Sequence, residues 1–233
     1  MNPDLSPDLL TRLRTFDSCS IANAVDAAGV RLANEGFCDD RITCRTPQLP
    51  PMVGIVVPLK VRSADPSMKK AFYLDQADWW ERLDASPHPR ILAVQDLDVH
   101  PGRGALIGPV HAAILQALGF VGVITDGAIR GQRKFGEIGL AAFASHLSPA
   151  HAFSHVVEFG APIVLAGLAL KPGDVVHGDE HGIVKIPADI ADQIATLAAD
   201  VRERERRVCD FCQTPDFSPA ALRRRLGVDS SRR

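Results

Sequence analysis

The stretch ILAVQDLDVHPGRGALIGPVHAAILQALGFVGVIT, residues 91–125, constrains the fold most. It reads as an apolar strand, a glycine-rich loop, a helix carrying Val110, Ile114, Leu115 and Leu118 on one face, and a second strand directly behind it. Upstream, a proline cluster leads into a β-branched run from Val53 to Val61 that reads as a buried strand. Downstream, LAAFASH is a further strand. APIVLAGLALKPGDVVHGDEHGIVKIP then reads as three short strands punctuated at Gly167, Pro172-Gly173 and the segment Gly178 to Gly182. A strand, helix, strand unit followed by β-only turns predicts a mixed α/β domain, not a clean doubly wound sheet.

Helical patterns bracket this region. Residues 5–29 carry Leu9, Leu10, Leu13 and Phe16, then Ile21, Ala24, Val25 and Ala28, at three- and four-residue steps, with a break and cap at Asp17-Ser18 and a stop at Gly29. DQADWWERL predicts a short helix. Residues 188–209 close the domain with a stripe of Ile190, Ile194, Leu197, Val201 and Val208. The expected organisation is one domain over 1–208, N-terminal helices included, and an arm over 209–233.

The 233 residues are 46% hydrophobic and 23% charged, enough for one domain with a sizeable core. A net charge of -2 leaves no global positive field to recruit nucleic acid or an anionic membrane. The basic RERERR and RRRLGVDSSRR are local, and read as a solvated helix face and a chain end. No run is long and apolar enough for a membrane span, and MNPDLSPDLL lacks the pattern of a signal peptide, so a cytoplasmic protein is expected. Five cysteines argue against a disulfide scaffold. Cys209 and Cys212 form a CxxC without a second pair, and are read as structural thiols.

A glycine-rich approach to a helix leaves backbone amides pointing outward with the positive end of the helix dipole behind them. The segment Gly104 to His111, with Pro109 in the first turn, fits that description. The strand VGVIT delivers Arg130 just past its carboxyl end, where a guanidinium can hold a carboxylate through two hydrogen bonds. Together they read as an anion cradle; a plain strand exit with an ion-paired arginine reads equally well. Neither GxGxxG nor GxxxxGK[ST] occurs, so nucleotide binding is not supported. His177, Asp179 and His181 flank glycines that imply an irregular strand, and read as turn chemistry ahead of a metal site. His151 and His155 are spaced for one helical face but lack the HExxH frame.

GALIGPVHAAILQALGFVGVITDGAIRG, GLAAFASHLSPAHAF, VEFGAPIVLAGLALKPGDVVHGDEHGIVKIP and the closing helix resemble the RraA family. That family holds regulators of ribonuclease activity, proteins once misnamed demethylmenaquinone methyltransferases, and class II aldolases acting on 4-hydroxy-4-methyl-2-oxoglutarate. The resemblance implies a swivelling β/β/α domain in a homotrimer or homohexamer, with active sites between subunits. In the aldolases a divalent metal, Mg²⁺ or Mn²⁺, and an arginine hold the pyruvate moiety, and cleavage or oxaloacetate decarboxylation passes through an enolate.

By that resemblance the arginine is Arg130, the carboxylate-binding amides lie near Gly108, Val110 and His111, and a neighbour's glutamate falls at or near Glu205. The aldolases follow the arginine with a metal-anchoring aspartate and carry a second acid upstream; here those positions are Gly131 and Pro109. Asp126, Asp179 and His111 are the candidates to compensate. Three expectations stand: a lyase on a pyruvate-yielding 2-oxo acid, with Arg130, Glu205 and His111 as its working residues; a non-catalytic binder of a small carboxylate or a protein; and a metal-free enzyme using a histidine as acid or base.

Overall fold

The computed structural model describes residues 5–67 and 77–227. Two short helices come first. Helix α1 (Pro7–Arg14) is capped by the Ser6 side chain accepting from the Leu9 amide, and α2 (Ser18–Ala28) by Asp17 accepting from the Ser20 amide. Gly29 ends α2 in the left-handed conformation. The break expected at Asp17-Ser18 is thus a true interruption between two helices.

The main sheet runs β1 (Thr43–Cys44), β5 (Ala141–Leu147), β4 (Phe120–Ile129), β3 (Arg90–Asp96), β2 (Met52–Arg62), β9 (Val175–Asp179), β10 (Gly182–Ile186). Strands β2, β3, β4 and β5 are parallel; the outer strands are antiparallel to their neighbours. The long β2 pairs β9 along its first half and β6 (His155–Phe159) along its second. A separate hairpin, β7 (Ile163–Leu165) and β8 (Leu168–Leu170), turns through Ala166 and Gly167, both at positive φ as a tight two-residue hairpin turn requires. The C-terminal β region therefore contains four strands after β6 where three were expected. The break expected at Gly167 divides β7 from β8.

Three apolar clusters explain the layering. Helices α3 (Ala77–Asp84), α4 (Pro109–Ala117) and α5 (Gln132–Ile138) cover one sheet face through Trp79, Leu83, Ala112, Leu115 and Phe135. The β7–β8 hairpin covers the other through Ile163, Leu165, Leu168 and Leu170. Helices α1, α2 and α6 (Ala191–Cys212) pack on β9, β10 and the start of β2 through Leu13, Ile21, Val25 and Ile194. Helix α6 continues through Cys212, past the expected end at residue 209, and a last helix α7 (Pro219–Arg225) lays Arg225 against Phe211. The expected N-terminal part of the tryptophan helix falls partly outside the described residues.

Candidate functional site

The head of α4 and the end of β4 are built as one unit. Ile107 forms a parallel bridge with Ile129, and the Arg130 amide donates to the Ile107 carbonyl at 3.1 Å. The chain then turns into α4 at Gly108, whose carbonyl accepts from the Ala112 amide at 2.8 Å. An α-helix offers no carbonyl to its first-turn amides, here those of Val110 and His111, and Pro109 has none to offer. Arg130 lies directly over this helix head. A Cβ at Gly108 would stand 2.9 Å from both Cγ and Nε of Arg130, so the missing side chain is what admits the guanidinium stem. The Arg130 Nε is buried and has no hydrogen-bond partner among the described residues.

Gly131 and Pro109 meet on the outer side of the same unit. Gly131 adopts φ 65°, ψ 39°, and a Cβ there would come 2.4 Å from Cγ of Pro109. They border an open cleft that also takes in Gln132, Arg133, Lys134, Glu137 and Leu147. Its carboxylate, Glu137, is paired with Lys134 at 3.3 Å. Among the described residues no carboxylate is paired with Arg130. A hard divalent cation needs oxygen ligands, and among the described residues the donor set beside Arg130 does not fit one.

His111 points inward, 1% exposed, with its ring 5.4 Å from that of Trp80 and 5.9 Å from that of Trp79. Burial, then the charges of His151 and Arg130, bring its pKa down to about 4, so it is a neutral imidazole at neutral pH. That state removes it as a general acid there and leaves it a weak base. His151 is held to the segment that leads into α4. Its Nδ1 lies 3.2 Å from the Ala105 carbonyl, and Ala105 pairs with Ala150 in the segment that leads into α4. Burial and then Arg130 lower its pKa. The helical face for which His151 and His155 are spaced does not form: residues 151–154 form a turn, His155 opens β6, and its Nδ1 contacts the Phe153 carbonyl.

The remaining sequence candidates are elsewhere. Asp126 accepts from the Asp96 amide at 2.8 Å and has Asp96 and Arg41, not Arg130, as its charged neighbours; burial raises its pKa to about 6. The irregularity between Thr125 and Ala128 in the β4–β5 pairing separates its orientation from that of Arg130. Asp179 is 4% exposed, and its carboxylate accepts from the amides of Ser18 and His181. His177 lies against the Ser18 hydroxyl and the Phe16 carbonyl. The β9–β10 register is unbroken from Gly182 paired with Asp179 to Ile186 paired with Val175. The irregular strand expected from Gly178 and Gly182 is therefore absent, and His177 and Asp179 share a face that anchors the start of α2. Among the described residues the grouping close enough to share a cation is Asp179, Glu180 and His181, which adjoins α2 and not Arg130.

Glu205 accepts from Asn23 at 3.0 Å on the α2–α6 face, away from the cradle of its own chain. Cys209 and Cys212 are free and exposed on the last turns of α6. Sequence reasoning missed His151 and the tryptophan pair as neighbours of the cradle. No spacing signal links positions 79, 80, 111, 130 and 151, since separate loops and helices bring them together.

A sequence profile of the RraA-like family, described as Aldolase/RraA, matches residues 19–185. A Halalkalibacterium halodurans protein, provisionally named a 4-hydroxy-4-methyl-2-oxoglutarate aldolase, is 25% identical over 218 residues, covering 87% of this chain and 90% of its own. An uncharacterised Pseudomonas syringae protein superimposes with a TM-score of 0.74 at 19% identity over 97% of both chains. A Streptomyces coelicolor protein, described as an unusual member of the RNase ES inhibitor RraA family, superimposes with a TM-score of 0.67 at 20% identity, covering 86% of this chain and 96% of its own.

Proposed function

The chain belongs to the RraA-like family, and on that premise we propose that it binds a small 2-oxo carboxylic acid at Arg130 and acts on it as a carbon–carbon lyase of the aldolase or decarboxylase type. The observation that carries the reading is the Arg130 guanidinium, with a buried unpartnered Nε, lying over the head of α4 at Gly108. A carboxylate there meets a fixed charge, the Val110 and His111 amides, and the positive end of the helix dipole. The name of the Halalkalibacterium halodurans relative supports the aldolase assignment.

The chemistry asks little more of the protein than charge placement. In oxaloacetate, breaking the bond to the departing carboxylate leaves its electron pair on the pyruvate enolate and releases carbon dioxide; a proton returns to the methylene carbon. In the aldol substrate the C4 hydroxyl gives up its proton as the C3–C4 bond breaks, a second 2-oxo acid departs with the new carbonyl, and the same enolate forms and is then protonated. The guanidinium opposes the negative charge that grows on the enolate oxygen, an electrostatic role suited to a preorganised site. By family likeness the working unit is a trimer or hexamer in which a neighbour's Glu205 helps move the proton.

Pro109 and Gly131 favour a second reading, a binding protein without turnover, because the two family acids are absent together. Pyruvate release from oxaloacetate and from 4-hydroxy-4-methyl-2-oxoglutarate, measured with Mg²⁺ or Mn²⁺ and again with EDTA, separates the two. The lyase reading expects release that disappears in Arg130→Ala. Pyruvate binding without release moves the assignment to the binding protein, and absence of both refutes the cradle.

A further inference from the structure

The tip of the β9–β10 hairpin gathers metal-ligating side chains outside the cradle. Asp179 at the end of β9 pairs with Gly182 at the start of β10, and Glu180 and His181 form the turn between them. A turn this short on an unbroken ladder holds its backbone in one conformation, so the carboxylate and the imidazole leave the hairpin from fixed points. Asp179 is more firmly held. Its side chain is 1% exposed, and its carboxylate accepts from the amides of Ser18 at 2.7 Å and His181 at 2.9 Å. Those bonds take two of the roughly four lone-pair directions a carboxylate offers.

One donor atom from each of Asp179, Glu180 and His181 lies within 4.8 Å of the other two. Between Oδ1 of Asp179 and Nδ1 of His181 the distance is 3.2 Å. Two donors bound to a tetrahedral zinc ion at its usual bond lengths stand about 3.3 Å apart. The contact therefore already has the length of one edge of such a site. A hydrogen bond gives the same spacing; what it does not need is a third donor, Glu180, in reach of both. Beside His181 is a hollow of about 150 Å³, lined in part by Ser18, Cys19, Phe37 and Cys38. It leaves a fourth position open to water or to the exposed thiol of Cys19, whereas the Cys38 thiol is turned to the Leu165 carbonyl. Asp17, the cap of α2 beside Ser18, brings a further carboxylate to this corner, and Arg202 is turned to the Thr15 carbonyl and the Phe16 ring. Such a corner attracts a cation.

We propose that Asp179, Glu180 and His181 bind a divalent transition-metal ion of the zinc type, at a site separate from Arg130. The imidazole among the donors selects such an ion over Mg²⁺ or Ca²⁺, which take oxygen ligands. Bound at the hairpin tip, the ion holds Asp179 in the position that receives the Ser18 amide, so it stabilises the folded chain where α2 begins.

The test is titration calorimetry of the full, tag-free chain, stripped with EDTA and dialysed, with Zn²⁺ and in parallel with Mg²⁺. The expected result is about one Zn²⁺ per chain at micromolar affinity or better, weakened about tenfold or more in His181→Gln and in Glu180→Gln. Both side chains are exposed, and Asp179 is left intact because it also holds the Ser18 amide. Arg130→Ala, and Cys209→Ser combined with Cys212→Ser, should bind Zn²⁺ as the unaltered chain does. Zn²⁺ should also raise the thermal midpoint of the unaltered chain and not that of His181→Gln. Binding kept in both hairpin variants, or lost in Arg130→Ala or the cysteine double variant, puts the ion elsewhere and overturns the proposal. Binding only at millimolar Zn²⁺, an adventitious ion only, or equal binding of Mg²⁺ overturns it too. Any of these leaves the reading of Arg130 untouched, since neither pyruvate nor its release enters the test.

Discussion

Gly131 and Pro109 are coupled at the level of single atoms. The backbone of Gly131 is left-handed, a region that aspartate tolerates better than most residues. The obstacle to a side chain there is Pro109, whose Cγ would lie 2.4 Å from the new Cβ. Gly131→Asp alone should therefore lower stability by about 1–3 kcal/mol. Adding Pro109→Asp should return much of that loss, a coupling readable as a double-mutant cycle in urea unfolding. If the scaffold is an aldolase that lost its metal ligands, the double variant should also gain Mg²⁺-dependent pyruvate release; equal release with and without Mg²⁺ would argue against that history. His111 gives a pH prediction. Its folded pKa of about 4 lies below the unfolded value of about 6.5, so the unfolded chain binds the proton first. The stability due to its neutral burial is complete above the unfolded value and is lost as pH falls from there toward 4, a total of about 3 kcal/mol. His111→Gln should flatten the acid limb of a plot of unfolding free energy against pH; an unchanged limb would show that His111 does not titrate with folding.

At the scale of elements, the start of α2 is tied to the sheet by polar contacts that sequence spacing disguised. The Asp179 carboxylate accepts from the Ser18 amide at 2.7 Å, His177 lies against the Ser18 hydroxyl, and Asp17 caps the Ser20 amide. Satisfying first-turn amides with a buried carboxylate explains why a hairpin rich in charged residues sits against an apolar helix pair. Asp179→Ala should cost about 1–3 kcal/mol, because it leaves the Ser18 amide buried without its acceptor. Chemical denaturation monitored by helical circular dichroism measures this; a loss well under that range would mean water replaces the carboxylate. By contrast β4 and α4 owe their places to apolar burial, with Val123, Ile129, Ala112 and Leu115 at or near zero exposure in one cluster.

At the scale of the whole molecule, Glu205 and Arg130 lie on different faces of one chain: Glu205 with Asn23 on the α2–α6 side, Arg130 at the carboxyl end of β4. A shared active site between them requires a second copy. Glu205→Gln and Arg130→Ala should each abolish turnover, and refolding an equal mixture of the two should recover about a quarter of it, since random assembly pairs one intact half-site with the other in that proportion. No recovery from mixed chains that do co-assemble would remove Glu205 from the mechanism. Sedimentation of the unaltered protein should show a trimer or hexamer; a monomer would do the same.

The pattern of apolar residues by itself determined the strands β2 to β5, the crossover helix α4, the two N-terminal helices and the long closing helix, because each buries a continuous stripe whose period is local. It also determined that Arg130 leaves a strand beside a glycine-led helix head. Tertiary structure decided the rest. That His151 and the Trp79–Trp80 pair converge on His111 and Arg130, that Asp126 turns to Asp96, and that Pro109 occupies the space of any side chain at Gly131 depend on contacts between segments far apart in the chain. Such contacts are set by how layers pack, and that packing leaves no periodic trace in the residues that make it.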